Sequence, residues 1–213
     1  MDTIKSKYHE TLAATVIKNL EKRQMEGYYC PTVEDAEKLA FSFLKDGQTV
    51  SFGGSMTLEE TGMLTALRHD PSIHLIDRST AKTPDETKKM YHDAVFSDVY
   101  FMSTNAITTG GELVNIDGTG NRVAALIYGP ETVVILAGMN KIAANVDEAL
   151  SRVHNVATAQ NCIRLDKKTP CAITGACADC LSPDCICNQV VITRRSGIKG
   201  RIKVLLIGES FGY

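Results

Sequence analysis

Five of the chain's seven cysteines fall within the 17 residues from Cys171 to Cys187. Cys171, Cys177, Cys180, Cys185 and Cys187 read C-x5-C-x2-C-x4-C-x-C. Cys177 and Cys180 form a C-x-x-C pair, the turn that lets two thiolates reach one metal. Cys171 precedes it at loop-closing distance, Gly175 permits the turn, and a fourth ligand comes from Cys185 or Cys187. Four thiolates at tetrahedral geometry suit zinc or an iron–sulfur cluster. The spacing matches neither a ferredoxin run nor a zinc ribbon, so it does not choose between them. The plainer alternative is a set of free thiols, or disulfides formed on oxidation.

Two further stretches carry polar chemistry. In "SFGGSMT" a glycine pair, Gly53 and Gly54, stands between a strand pattern and a helix pattern. Such a turn offers free N–H groups and a favourable dipole to an anion, and Ser55 and Thr57 add hydroxyl donors. It is neither a Walker A loop nor G-x-G-x-x-G. The alternative is a tight turn with Thr57 as its cap. In "NAITTGGELVNIDGTGNR", Glu112 and Asp117 are the candidate acid/base groups, and Asn105, Thr108, Asn115, Asn121 and Arg122 suit orientation of a carboxylate or phosphate. A polar hairpin capping its own turns is the competing reading. Lys141, in "GMNKI", is a candidate anion contact, although a solvated lysine is the simpler assignment. The five histidines are dispersed and no G-x-S-x-G elbow is present, which argues against a serine hydrolase.

These residues need elements to position them. Ile4, Tyr8, Leu12, Val16 and Leu20, with Ala13 and Ile17, predict an amphipathic first helix. Thr32 to Asp35 has capping-box spacing before a second helical stripe. "QTVSF" predicts a strand, Thr57 and Glu60 a cap for the helix "LEETGMLTALR", and "IHLID" another strand. Thr83, Pro84 and Glu86 open a further helix, and "DVYFMS" returns to strand. This alternation predicts an α/β fold with a mainly parallel sheet. "ELVNIDGTGNRVAALIYG" reads as two extended runs around a hairpin turn at "DGTGN". "ETVVILAG" reads as a central strand. Val146, Ala149, Leu150, Val153, Val156 and Ala157 line a later helix, and "QVVITRR" and "RIKVLLIGES" close the chain as strands after the irregular cysteine segment.

The composition sets limits on this reading. The chain has 213 residues, 44% hydrophobic and 23% charged, with a net charge of −2. That suits a single domain over 1–213 with a cysteine-rich segment over 162–188. The basic residues are scattered along the sequence, so no nucleic-acid face is expected. No 18-residue apolar run predicts a membrane span. The start, "MDTIKSKYHE", lacks the pattern of a signal peptide. A cytoplasmic protein with reduced thiols is therefore expected, which favours a metal site over a disulfide framework. A small anionic metabolite and further copies of the chain are the expected partners.

The stretches "GGSMTLEETG", "NAITTGGELVNIDGTGNRVAALIYGP", "VVILAGMNKI", "TPCAITGACADCLSPDCICN" and "GRIKVLLIGESFG" together resemble the LUD domain family of lactate-utilization proteins. The resemblance implies a three-layer α/β/α sandwich with a Rossmann-like sheet, as in ribose-5-phosphate isomerase, glucosamine-6-phosphate deaminase and the CoA transferases. It implies a role in oxidising lactate to pyruvate alongside iron–sulfur protein subunits, and a phosphate-holding loop at Gly53, Gly54, Ser55 and Thr57. The pattern of the cysteine-bearing branch falls on Cys171, Cys177, Cys180 and Cys187, leaving Cys185 as the extra thiol. A stand-alone isomerase-like or CoA-transferase-like enzyme, with Glu112 or Asp117 as base or nucleophile and structural zinc, is the second reading. A non-catalytic subunit that docks on iron–sulfur partners is the third.

Overall fold

The computed structural model describes residues 3–213. In chain order the elements are α1 (Thr3–Lys22), β1 (Glu26–Cys30), α2 (Val33–Phe41), β2 (Thr49–Phe52), α3 (Met56–Glu60), α4 (Met63–His69), β3 (His74–Ile76), α5 (Pro84–Val95) and β4 (Val99–Met102). Next come β5 (Ala106–Thr108), β6 (Leu113–Asp117), α6 (Asn121–Ile127), β7 (Thr132–Gly138), β8 (Ile142–Ala143) and α7 (Val146–Arg152). A π-helical stretch, Val153–Thr158, joins α7 to α8 (Ala159–Arg164), and α9 (Pro170–Thr174), β9 (Gln189–Thr193) and β10 (Ile202–Ile207) follow.

Six strands form one all-parallel sheet in the order β1-β10-β7-β4-β2-β3. Its central strands are apolar on both faces, as a doubly covered parallel sheet requires. Val133, Ile135 and Ala137 of β7 face a core with Ala13, Val16 and Leu20 of α1 and Leu126 of α6. Val134 and Leu136 face the opposite core with Ala36 of α2, Leu58 of α3 and Leu67 of α4. The result is the expected three-layer α/β/α sandwich. A second sheet, β8-β5-β6-β9, sits beyond it and packs Val114 and Ile116 against Ala149 and Val153.

Helices begin at the expected caps where a side chain enforces them. Thr32 and Thr83 accept hydrogen bonds from the Asp35 and Glu86 backbone N–H groups. Elsewhere tertiary packing overrides the pattern. "NRVAALI" forms helix α6, not a strand, because the Asp117 carboxylate accepts from Thr119 N and Gly120 N and left-handed Gly120 turns the chain into a helix. The hairpin lies one turn earlier, between β5 and β6. The helix expected over 58–68 breaks at left-handed Gly62, and its cap is Ser55; Thr57 is fully buried instead. Ile4, Tyr8 and Val156 are exposed, so the apolar stripes are shorter than their periodicity suggests. The two last strands go to different sheets, β9 beside β6 and β10 between β1 and β7.

Gly129 shows how tightly α5 and α6 meet. Its φ is +126°, and a Cβ there would stand 2.3 Å from the Val95 carbonyl oxygen. Gly129→Ala is expected to cost about 2–3 kcal/mol of stability, read as a lower urea midpoint at unchanged slope.

Candidate functional site

The chain runs from β2 outward to β3 and then returns to β4 on the other side of β2. Such a reversal opens a crevice at the carboxyl ends of the strands, where open α/β sheets bind ligands. A cavity of about 430 Å³ lies there. The ends of three strands supply one side of it: Gly54, Ser55 and Thr57 after β2, Ser103 to Asn105 after β4, and Lys141 after β7. Asp117, Asn121 and Arg122 come from the end of β6 and the start of α6.

Lys141 is the centre of this arrangement. It is 4% exposed, so the solvated assignment does not hold. Its Nζ donates to Thr57 Oγ1 at 2.8 Å, Ser103 Oγ at 3.0 Å and the Thr104 carbonyl at 3.3 Å. The two hydroxyls donate elsewhere, to the Phe211 and Thr104 carbonyls, so the lysine supplies all three protons. Among the described residues no carboxylate is within ion-pair distance of Nζ. Burial therefore pulls its pKa down to about 7, the Arg152 and Arg122 charges add to the fall, and Glu60 opposes it.

Arg122 organises the cavity rather than reaching into it. Nη1 donates to Asn115 Oδ1 at 2.6 Å and the Ser103 carbonyl at 3.2 Å. Nη2 donates to the Ile116 carbonyl at 2.7 Å and Asn105 Oδ1 at 3.0 Å. Nε stands 3.5 Å from Asp117 Oδ2. Gly53 lies behind this side chain, where a Cβ would meet Arg122 Cγ and Cδ at 3.0 Å. Asp117 spends Oδ1 on its turn, while its buried Oδ2 has no hydrogen-bond partner. Buried Asn115 likewise has an unpartnered Nδ2.

Glu112 and Thr108 lie away from the cavity. Glu112 is paired with Arg23 and hydrogen-bonded by Thr108 Oγ1, and Arg23 Nε also donates to the Gly110 carbonyl at 2.6 Å. This clasp pins the β5–β6 turn to α1, which accounts for the polar density of "TTGGE" without a ligand. Near it the fold gathers Lys22, Arg23, Arg194 and Arg195 around Gly110, although these residues are far apart in sequence.

The opposite side of the cavity comes from the π-helical stretch and the cysteine segment. A π-helical turn shifts the register of a helix and is common at functional sites. Here Ala157 and Thr158 line the cavity, while His154 Nδ1 lies 3.6 Å from Cys177 Sγ and Asn155 Oδ1 accepts from Cys177 N. Arg164, Lys167 and Cys185 line the same side, and Arg78 stands at the rim over Tyr91. Sequence spacing singled out none of these cations. Ser103 and Thr104 were detectable in principle, because they directly follow a strand.

The thiols are arranged differently from the expected ligand set. Cys177 stands by His154. Cys185, the supposed extra thiol, is the one its neighbours share. Burial raises the Cys162 thiol, with Cys171 and Cys185 adding to the rise against a hydrogen bond from Thr169. Burial pushes Cys187 up to about 12, with Cys185 adding to the rise against a hydrogen bond from Thr158. Hydrogen bonds from Ser182 lower Cys180, and Cys185 contributes in the same direction. Cys162, which spacing left out, packs with Cys171 in one small core. Among the described residues, no three His, Cys, Asp or Glu side chains stand close enough together to hold a metal ion. No helix among them is long and apolar enough to cross a membrane.

A DUF162-family protein from Deinococcus radiodurans has a similar fold, with a TM-score of 0.53 at 10% identity over 93% of this chain and 98% of that one. The delta subunit of eIF2B from Chaetomium thermophilum overlaps 52% of this chain and 48% of its own, at a TM-score of 0.36 and 20% identity. No curated protein matches. The family model of the LUD domain matches residues 13–207, and the chain therefore belongs to the LUD domain family.

Proposed function

We propose that this protein binds a small anionic metabolite, a carboxylate or a phosphate, in the strand-end cavity, with Lys141 as its charge partner and Asp117 as its acid/base group. The observation that carries this reading is the Lys141 ammonium, buried among hydroxyls and a carbonyl, with no carboxylate among the described residues in ion-pair contact with it. A buried charge without a partner is costly, and an anionic ligand supplies the missing partner. Lactate and pyruvate, the pair that the family resemblance implies, are small carboxylates of this kind.

Calorimetric titration with pyruvate, lactate and inorganic phosphate tests the reading. Binding of at least one anion is expected below pH 7, where Lys141 is protonated, and weaker binding above it. No heat with any of the three up to about 10 mM would overturn it.

Asp117 Oδ2, which accepts no hydrogen bond, favours a second reading, an enzyme resembling the sugar-phosphate isomerases or CoA transferases. Asp117→Asn is then expected to abolish turnover, a loss of about 100-fold or more, whereas Glu112→Gln keeps it, because Glu112 is committed to Arg23.

The proposal that Cys171, Cys177, Cys180 and Cys187 hold zinc or an iron–sulfur cluster, and so link the chain to iron–sulfur subunits, rests on donor chemistry and spacing. Among the described residues no three of these thiols stand close enough together to hold a metal ion. Metal analysis of anaerobically purified protein tests it.

A further inference from the structure

Cys185 belongs to the cysteine segment and also lines the anion cavity, together with Arg164 and Lys167. The segment is fastened to the loop that carries Asp117. Asn188 N donates to the Asp117 carbonyl at 3.1 Å, and Asn188 Nδ2 donates to the Gly118 carbonyl at 2.8 Å. Ile186 lies against Gly118, where a Cβ would meet its backbone at 3.4 Å. Gln189 pairs directly with Asp117 across the β6–β9 ladder. Asp117 is itself 8% exposed and lines the cavity, and its Oδ2 accepts no hydrogen bond, with only the Arg122 charge 3.5 Å away, which leaves it open to a donor on a ligand.

We propose that Cys185 is the ligand-facing thiol of a composite site, so that anion binding in the cavity and chemistry at the cysteine segment are linked. The inference rests on the anion-binding reading above. A group added to the Cys185 sulfur occupies the cavity wall and hinders the anion; an anion in the cavity shields the sulfur. Steric exclusion across one shared wall predicts both effects. Cys177 is the internal control, since it is about as accessible but faces His154 outside the cavity.

The test is differential alkylation of the full chain with N-ethylmaleimide, read at each cysteine by mass spectrometry. It is run without anion, with pyruvate and with inorganic phosphate, which separates a carboxylate ligand from a phosphate ligand. At a saturating concentration of whichever anion binds, modification of Cys185 is expected to slow about fivefold or more relative to Cys177. Conversely, N-ethylmaleimide treatment is expected to lower anion affinity about fivefold or more in the wild type, and this loss is expected to disappear in Cys185→Ser. Measurable anion binding with no protection of Cys185, or an equal loss in treated Cys185→Ser, overturns the inference and leaves the anion site standing. No anion binding in calorimetry overturns both.

Discussion

Lys141→Met will remove anion binding while the chain stays folded. The lysine is the one cavity cation with Nζ buried among uncharged acceptors, so its charge is poorly screened and acts strongly on a ligand. Deleting one partner of a desolvated charge pair costs roughly 2–5 kcal/mol, which is roughly 30-fold or more in affinity. Methionine fills similar volume, and the Thr57 and Ser103 hydroxyls keep their bonds to the Phe211 and Thr104 carbonyls, so the fold loses little. The sign of the pH effect separates this account from simple packing. The folded-state pKa of about 7 lies below the ordinary lysine value of 10.5. Between those values the unfolded chain holds a proton that the folded chain has released, so wild-type stability rises with pH across that window. Below pH 7 both states are protonated and the full cost of burying the ammonium is present. The variant lacks this rise. Urea denaturation of both proteins at several pH values, beside anion titrations, checks both halves of the prediction.

Arg122→Met will destabilise the protein by about 3–5 kcal/mol. The guanidinium satisfies two backbone carbonyls and two asparagine oxygens, all in the buried floor of the cavity. Removing it takes a donor from each of these acceptors, only Asn105 Oδ1 keeping a bond from Ile116 N, and leaves Asp117 without the charge 3.5 Å away. Arg122→Lys keeps the charge but cannot reproduce a planar fork that engages four oxygens, so most of the loss is expected there too. The measurement is the urea midpoint. A shift of less than about 1 kcal/mol in Arg122→Lys would mean that charge alone, and not the fork, holds the floor together.

The layer architecture could be read from the sequence because period and caps agree with the final packing. The apolar runs of β7 and β10 are buried on both faces, and Thr32 and Thr83 cap the helices they were expected to cap. The β6–α6 junction could not be read this way. "DGTGN" carries a hairpin signal, and the choice of helix comes from where Asp117 and Gly120 put the chain relative to α5 and the sheet. The burial of Lys141 is hidden for a related reason: nothing near it in sequence discloses that Thr57, Ser103 and Phe211 close around it. The pairing of Glu112 is hidden because its partner, Arg23, is 89 residues away. The contact of Cys162 with Cys171 could not be read from spacing, because the two come together only when α8 packs against α9.

The central claim is that a buried, half-titrated Lys141 awaits an anion. Its most direct test is an NMR titration of the lysine side-chain amine in isotopically labelled protein, with the Lys141 signal assigned by its loss in Lys141→Met. A pKa near 7 is expected in the free protein, rising by about one unit or more when pyruvate or phosphate is bound. A value near the ordinary 10.5, unmoved by either anion, would contradict the account.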